Sequence, residues 1–166
     1  MIARTFLLLA AYLAWAGQTQ QPAPADHDKV VKDRGDHVMG FSHEKTTHHF
    51  RLYSDGGAVE VTSNDANDVA SRDQIRMHLT HIAKMFSEGD FSAPMLIHAQ
   101  NPPGTAVMKR LRTEIKYLYQ ETPRGAAVRI TSRSPQALKA IHDFLLFQIR
   151  DHHTGDLEKV TSPPSI

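Results

Sequence analysis

Gly57-Ala58-Val59-Glu60-Val61-Thr62-Ser63 and Ala126-Ala127-Val128-Arg129-Ile130-Thr131-Ser132 share one pattern. Apolar residues recur at every second position, which is the period of a strand with one face buried. Working outward from the first, residues 48–53 also alternate, and Asp55-Gly56-Gly57 between the two runs supplies glycines suited to the positive φ of a tight hairpin turn. Ahead of the second stretch, residues 116–120 form the partner strand. Their turn is Thr122-Pro123-Arg124-Gly125, with proline pre-set near φ of about −65° and glycine where a left-handed residue is wanted.

A helix is expected after each hairpin. Ser71 stands three residues before Gln74, a capping-box pattern, and Ile75, Leu79, Ile82 and Phe86 recur at helical spacing until Gly89. In the second case Ser134 is the expected cap, Pro135 the first helical residue, and Leu138, Ile141, Leu145 and Ile149 the buried stripe. Between the units, residues 95–98 read as a short strand, and Pro102-Pro103-Gly104 precedes a helix carrying Val107, Met108, Leu111 and Ile115. The expected fold is α+β: two ββα units forming one antiparallel sheet, with helices packed on one face.

The ends are read separately. Arg4, the apolar run from Phe6 to Trp15 and the ending Ala14-Trp15-Ala16 have the three parts of a secretory signal peptide, with cleavage expected after Ala16. The run is too short for a membrane span of about 20 residues, and no later segment approaches that length. A periplasmic or secreted protein is therefore expected, with no membrane span in the mature chain. Residues 17–36 are polar and read as a flexible leader, residues 37–156 as the single domain, and residues 157–166, with Pro163 and Pro164, as a disordered tail.

Loss of Arg4 leaves 18 basic residues against 18 acidic ones, which argues against nucleic acid as a partner. With no cysteine, disulfides, thiolate nucleophiles and cysteine-ligated metals are excluded. No phosphate-binding glycine loop, dinucleotide fingerprint, nucleophile elbow or His-Glu-x-x-His metalloprotease signature occurs, so no catalytic residues are assigned.

Histidine is abundant, at eleven, and points to metal. A turn of 100° per residue places Gln74, His78, His81 and Met85 in a strip along one helix, where imidazoles at i and i+3 converge and a thioether suits Cu(I). His142 lies within the apolar stripe of the last helix, and His48 points inward with Phe50 and Leu52. The leading expectation is a copper or zinc ion held by His78 and His81, with His142, His48 or Met85 completing the set. Affinity would fall below about pH 6 as the imidazoles protonate. The competing explanations are structural: Met85 fills a core gap, His142 is a core imidazole with one hydrogen bond, and His48 begins a strand. His27, His37 and His43 lie in or beside the leader, and His152 and His153 suit a helix C-terminus. The alternative function is a metal-free binding or interaction module with an envelope protein or small ligand as partner.

Met39-Gly40-Phe41-Ser42, Thr47-His48-His49-Phe50, Ser71-Arg72-Asp73-Gln74-Ile75-Arg76, His78-Leu79, His81-Ile82-Ala83 and Ile141-His142-Asp143-Phe144-Leu145 carry a resemblance. From about Met39 to Asp156 the chain resembles a family of small exported bacterial proteins with no established activity. The resemblance implies membership and assigns no catalytic residue.

Overall fold

The structure is a computed structural model that describes residues 24–164. In chain order it contains α1 (Pro24–Met39), β1 (Thr46–Tyr53), β2 (Gly56–Ser63), α2 (Val69–Glu88), α3 (Ser92–His98), α4 (Thr105–Arg110), a 3-10 turn (Arg112–Glu114), β3 (Ile115–Thr122), β4 (Gly125–Ser132) and α5 (Pro135–Asp151). The strands form one antiparallel sheet in the order β1-β2-β4-β3. The expected α+β fold of two ββα units is present, with helices packed on the sheet.

The two units meet between β2 and β4, where Val59 pairs with Val128, its counterpart in the other unit. Each helix then covers its neighbour's hairpin: α2 lies mainly over β3 and β4, and α5 over β1 and β2. Ile75, Leu79, Ile82 and Phe86 from α2 and Ile141, Phe144, Leu145 and Ile149 from α5 bury against Phe50, Leu52, Val61, Val128 and Ile130. Removal of so much apolar surface from water is the main favourable term in such a core.

Local details differ from expectation where side-chain chemistry overrides pattern. The first turn is the two residues between Tyr53 and Gly56, and only Gly56 of the glycine pair has positive φ. Gly125 does not occupy the left-handed region; a Cβ there would overlap the Val61 carbonyl oxygen, so glycine is required by close strand approach. Asp68, not Ser71, caps α2: its carboxylate accepts from the Ser71 backbone N–H (2.9 Å) and hydroxyl (2.8 Å). Ser134 occupies the cap position of α5, but its hydroxyl makes no capping bond.

Residues 95–98 belong to a helix rather than a strand, because Asp90 accepts from the Ser92 N–H (2.8 Å) and Pro94 sits in the first turn, where its missing N–H costs nothing. The next helix ends at Arg110, and Ile115 opens β3 instead of extending the apolar helix face. The stretch expected to be a flexible leader is also partly ordered. Within the described residues, Pro24–Met39 forms α1, which packs beside α3 and buries Val31. Residues 1–23, including the whole expected signal peptide, lie outside the described residues.

The described part of the expected tail forms a strap along edge strand β1. Asp156 accepts from the Phe50 N–H, His49 and Arg51, while Thr161 donates to the Leu52 carbonyl and accepts from the Ser54 N–H. These bonds satisfy part of an otherwise open strand edge.

Candidate functional site

The candidate site is a hollow between the inner sheet face and α2, α3 and α5. Its floor is Phe50, Val59 and Val61; Leu79, Ile82 and Phe144 form much of its wall. The cavity measures about 60 Å³. Benzene occupies an engineered cavity of about 150 Å³, or roughly 25 Å³ per carbon, so this space suits two or three carbons.

Three imidazoles border this apolar space: His48 from β1, His78 from α2 and His152 just beyond α5. Phe41 links the first two, with ring centroids 5.9 Å from His48 and 5.5 Å from His78. The His48 and His152 rings are nearly parallel, 6.2 Å apart. Burial pushes His48 and His78 from their ordinary value down to about 4, reinforced by neighbouring imidazoles, and pushes His152 to about 3, reinforced by His98 and His48. All three rings are neutral at pH 7 and each presents one donor and one acceptor.

A buried polar group completes the wall. Gln148 stands in the apolar face of α5 and is 4% exposed. Its carbonyl oxygen lies 3.0 Å from His98 Nε2, while His98 Nδ1 bonds to Asp151. The Gln148 amide nitrogen is buried without a hydrogen-bond partner among the described residues. Such a donor normally finds a partner in a folded protein.

His48 and His78 therefore share the cavity, as inward-facing residues. His81 is solvent-exposed, and Met85 packs against the margin of the core. Neither lines the cavity. His142 is directed elsewhere: its Nε2–H donates to the Tyr53 carbonyl (2.9 Å) and Gly56 carbonyl (3.0 Å), locking α5 to the first hairpin turn. Among the described residues, no three His, Asp or Glu side chains gather with the arrangement of a metal site. His98, Gln148 and the cavity role of His152 escape the sequence pattern. The available signal was Gln148 at a position one turn beyond Leu145, inside the stripe that includes Ile141.

Comparison with protein-family models, curated proteins and solved structures finds no match for the chain. Among the described residues, no helix is long and apolar enough to cross a membrane.

Proposed function

We propose that the protein is a non-catalytic binding module that takes a small, neutral, largely aliphatic molecule into the cavity. The observation carrying this function is the buried Gln148 amide nitrogen, without a hydrogen-bond partner among the described residues, in a wall that is apolar apart from it and the three imidazoles. A ligand carbonyl or hydroxyl oxygen accepting from that nitrogen would remove the cost of leaving it unsatisfied, while apolar atoms fill the hollow. The signal-peptide pattern supports action in the periplasm or outside the cell; a secreted product beginning at Gly17 would test that placement.

The binding test uses xenon and acetone with the full mature protein. Xenon should shift the methyl resonances of Val61, Leu79 and Ile82, and acetone should additionally shift the Gln148 side-chain amide. Gln148→Leu should retain the xenon response and lose the amide-dependent part of acetone binding. Unchanged methyl resonances with both probes would overturn the assignment.

A copper or zinc ion is the second function the site supports, now through His48, His78 and His152 rather than His78 and His81 with His142 or Met85. Its specific support is the three neutral imidazoles around one cavity, since neutral imidazole is the ligating form. It requires the rings to converge on binding. A rise in melting temperature with Cu(I) or Zn(II), reversed by chelator and absent in His48→Phe, is the expected signature.

A further inference from the structure

The two edges of the sheet are finished differently. Along β1, Asp156 accepts from the Phe50 N–H and Thr161 donates to the Leu52 carbonyl, so the strap occupies that edge. Along β3, no strand or strap pairs on the far side among the described residues. β3 pairs with β4 at eight successive positions without a bulge, so every second residue turns its backbone N–H and C=O outward, away from β4. Native proteins usually blunt such an edge with proline, a bulge, shortness or an inward-pointing charge. β3 has neither proline nor bulge, and Glu121, a charge on its inner face, stands near the end and is paired with Arg76 (3.0 Å).

The centre of this edge is apolar. Tyr117 and Tyr119 point to the helix-covered face, where they pack at the margin of the core. Leu118 points to the opposite face and is 57% exposed. Its partner across β4 is Arg129, whose guanidinium is turned to Asp55 and the Gly57 carbonyl, so that strand offers Leu118 no apolar cover. Charge lies toward the two ends, with Lys116 at one and Glu121 at the other.

We infer that β3 pairs antiparallel with β3 of a second copy of this chain, joining two four-stranded sheets about a two-fold axis at Leu118. Charge selects the direction. A parallel alignment would set Lys116 against Lys116 and Glu121 against Glu121, whereas the antiparallel one brings each strand's basic end beside the other's acidic end. The faces then limit the register: helices stay on one side of the joined sheet only if the strands slide in steps of two residues. Centring on Leu118 opposes Leu118 to Leu118, Tyr117 to Tyr119 and Lys116 to Gln120. Centring on Tyr119 would oppose Leu118 to Gln120 and Tyr117 to Glu121, losing the apolar match on both faces. The contact is confined to one strand edge and its side chains, below the roughly 1,200 Å² of a standard interface, so the dimer is reversible and concentration-dependent. No β3 residue lines the cavity, and the pairing is independent of what binds there.

Sedimentation equilibrium of the mature protein tests the pairing and should show monomer and dimer in exchange. Leu118→Glu sets two carboxylates against each other at the axis and removes the apolar contact, so it should weaken association about a hundredfold, with an unchanged NMR spectrum of the core as the folding control. The chain has no cysteine, which makes Leu118→Cys a second measurement. Opposed strand residues lie within disulfide reach, and mild oxidation should link two copies of Leu118→Cys faster than two copies of Met77→Cys, a 71% exposed position on α2. A monomer up to millimolar concentration, a dimer indifferent to Leu118→Glu, or equal cross-linking of the two cysteine variants would each overturn the inference. A monomer whose outward β3 amides resist hydrogen exchange would overturn it in favour of the chain's own residues 17–23 as the occupant of the edge.

Discussion

The first ββα unit binds its neighbour with an arginine, whereas the second uses a histidine. Aligning buried Ile75 and Leu79 of α2 with Ile141 and Leu145 of α5 places Arg76 opposite His142. Arg76 donates to the carbonyls of Thr122 (2.8 Å) and Gly125 (3.2 Å), at the turn of the second hairpin. His142 makes the matching contacts to Tyr53 and Gly56, at the turn of the first. Equivalent residues thus tie each helix to the opposite unit. The comparison explains why an inward-facing histidine on α5 is a structural crosslink: its hydrogen bonds occupy the position where the other half uses a guanidinium.

The symmetry is strictest at Gly56 and Gly125. A Cβ on Gly56 would overlap the Ile130 carbonyl oxygen, and one on Gly125 would overlap the Val61 carbonyl oxygen. Val61 and Ile130 occupy corresponding places in the repeated strands. Gly56→Ala and Gly125→Ala should each destabilise the fold by about 4 kcal/mol, near the upper end for a single substitution, because backbone must move in the central strand pair. Gly56→Ala should be the worse of the two, since Gly56 alone also has positive φ. Equilibrium urea unfolding of both variants would reveal a fault in this comparison if either matched wild type.

Loss of a crosslink should have the next largest effect. Arg76→Ala removes two carbonyl contacts and an ion pair with Glu121 (3.0 Å), so a loss of about 3 kcal/mol is expected. The Glu121 carboxylate is largely exposed, and most of the loss belongs to the carbonyl contacts. His142→Ala should cost about 2 kcal/mol by the same carbonyl argument. Hydrogen exchange sharpens the comparison: Arg76→Ala should loosen the second hairpin, and His142→Ala the first.

Acid should affect one side of the molecule before the general loss of carboxylate charge. His48 and His78 have folded values of about 4 and His152 about 3, all below the ordinary 6.5 of an unfolded histidine. The unfolded chain therefore binds more protons as pH falls below 6.5, and stability falls toward pH 4; it is retained above 6.5. A decrease of about 2 kcal/mol for each of these rings between pH 7.5 and pH 5 is expected. Asp156 acts in a lower window. Burial raises its value, but the Phe50 N–H, Thr154, His49 and Arg51 outweigh that effect and hold its carboxyl below the ordinary value. Denaturation midpoints that stay constant from pH 7.5 to pH 5 would contradict the histidine assignment.

The strand repeat and helix stripes were legible because periods of two and 3.6 are local properties. The packing of α2 over the second hairpin and α5 over the first was not, because it depends on contacts between units. Polar composition around Val30 and Val31 concealed α1, whose buried Val31 finds its apolar surroundings only after α3 and the sheet are assembled. Likewise, strand alternation correctly placed His48 inward, and helix periodicity placed His78 beside the apolar stripe. It could not bring His152 across the fold or distinguish a cavity-facing imidazole from His142, which reaches backbone carbonyls.

The same alignment places buried Gln148 opposite buried Ile82, an exchange that makes the second helix polar at the cavity. Gln148→Leu should change stability by less than about 1 kcal/mol, because lost bonding to His98 is offset by removal of an unsatisfied amide nitrogen. Thermal melting measures that small difference, while acetone titration measures its functional consequence. A large stability loss would identify Gln148 as part of an indispensable His98–Asp151 network. Near-wild-type melting with weakened acetone binding would separate the two halves chemically: Ile82 fills the wall, whereas Gln148 recognises what enters it.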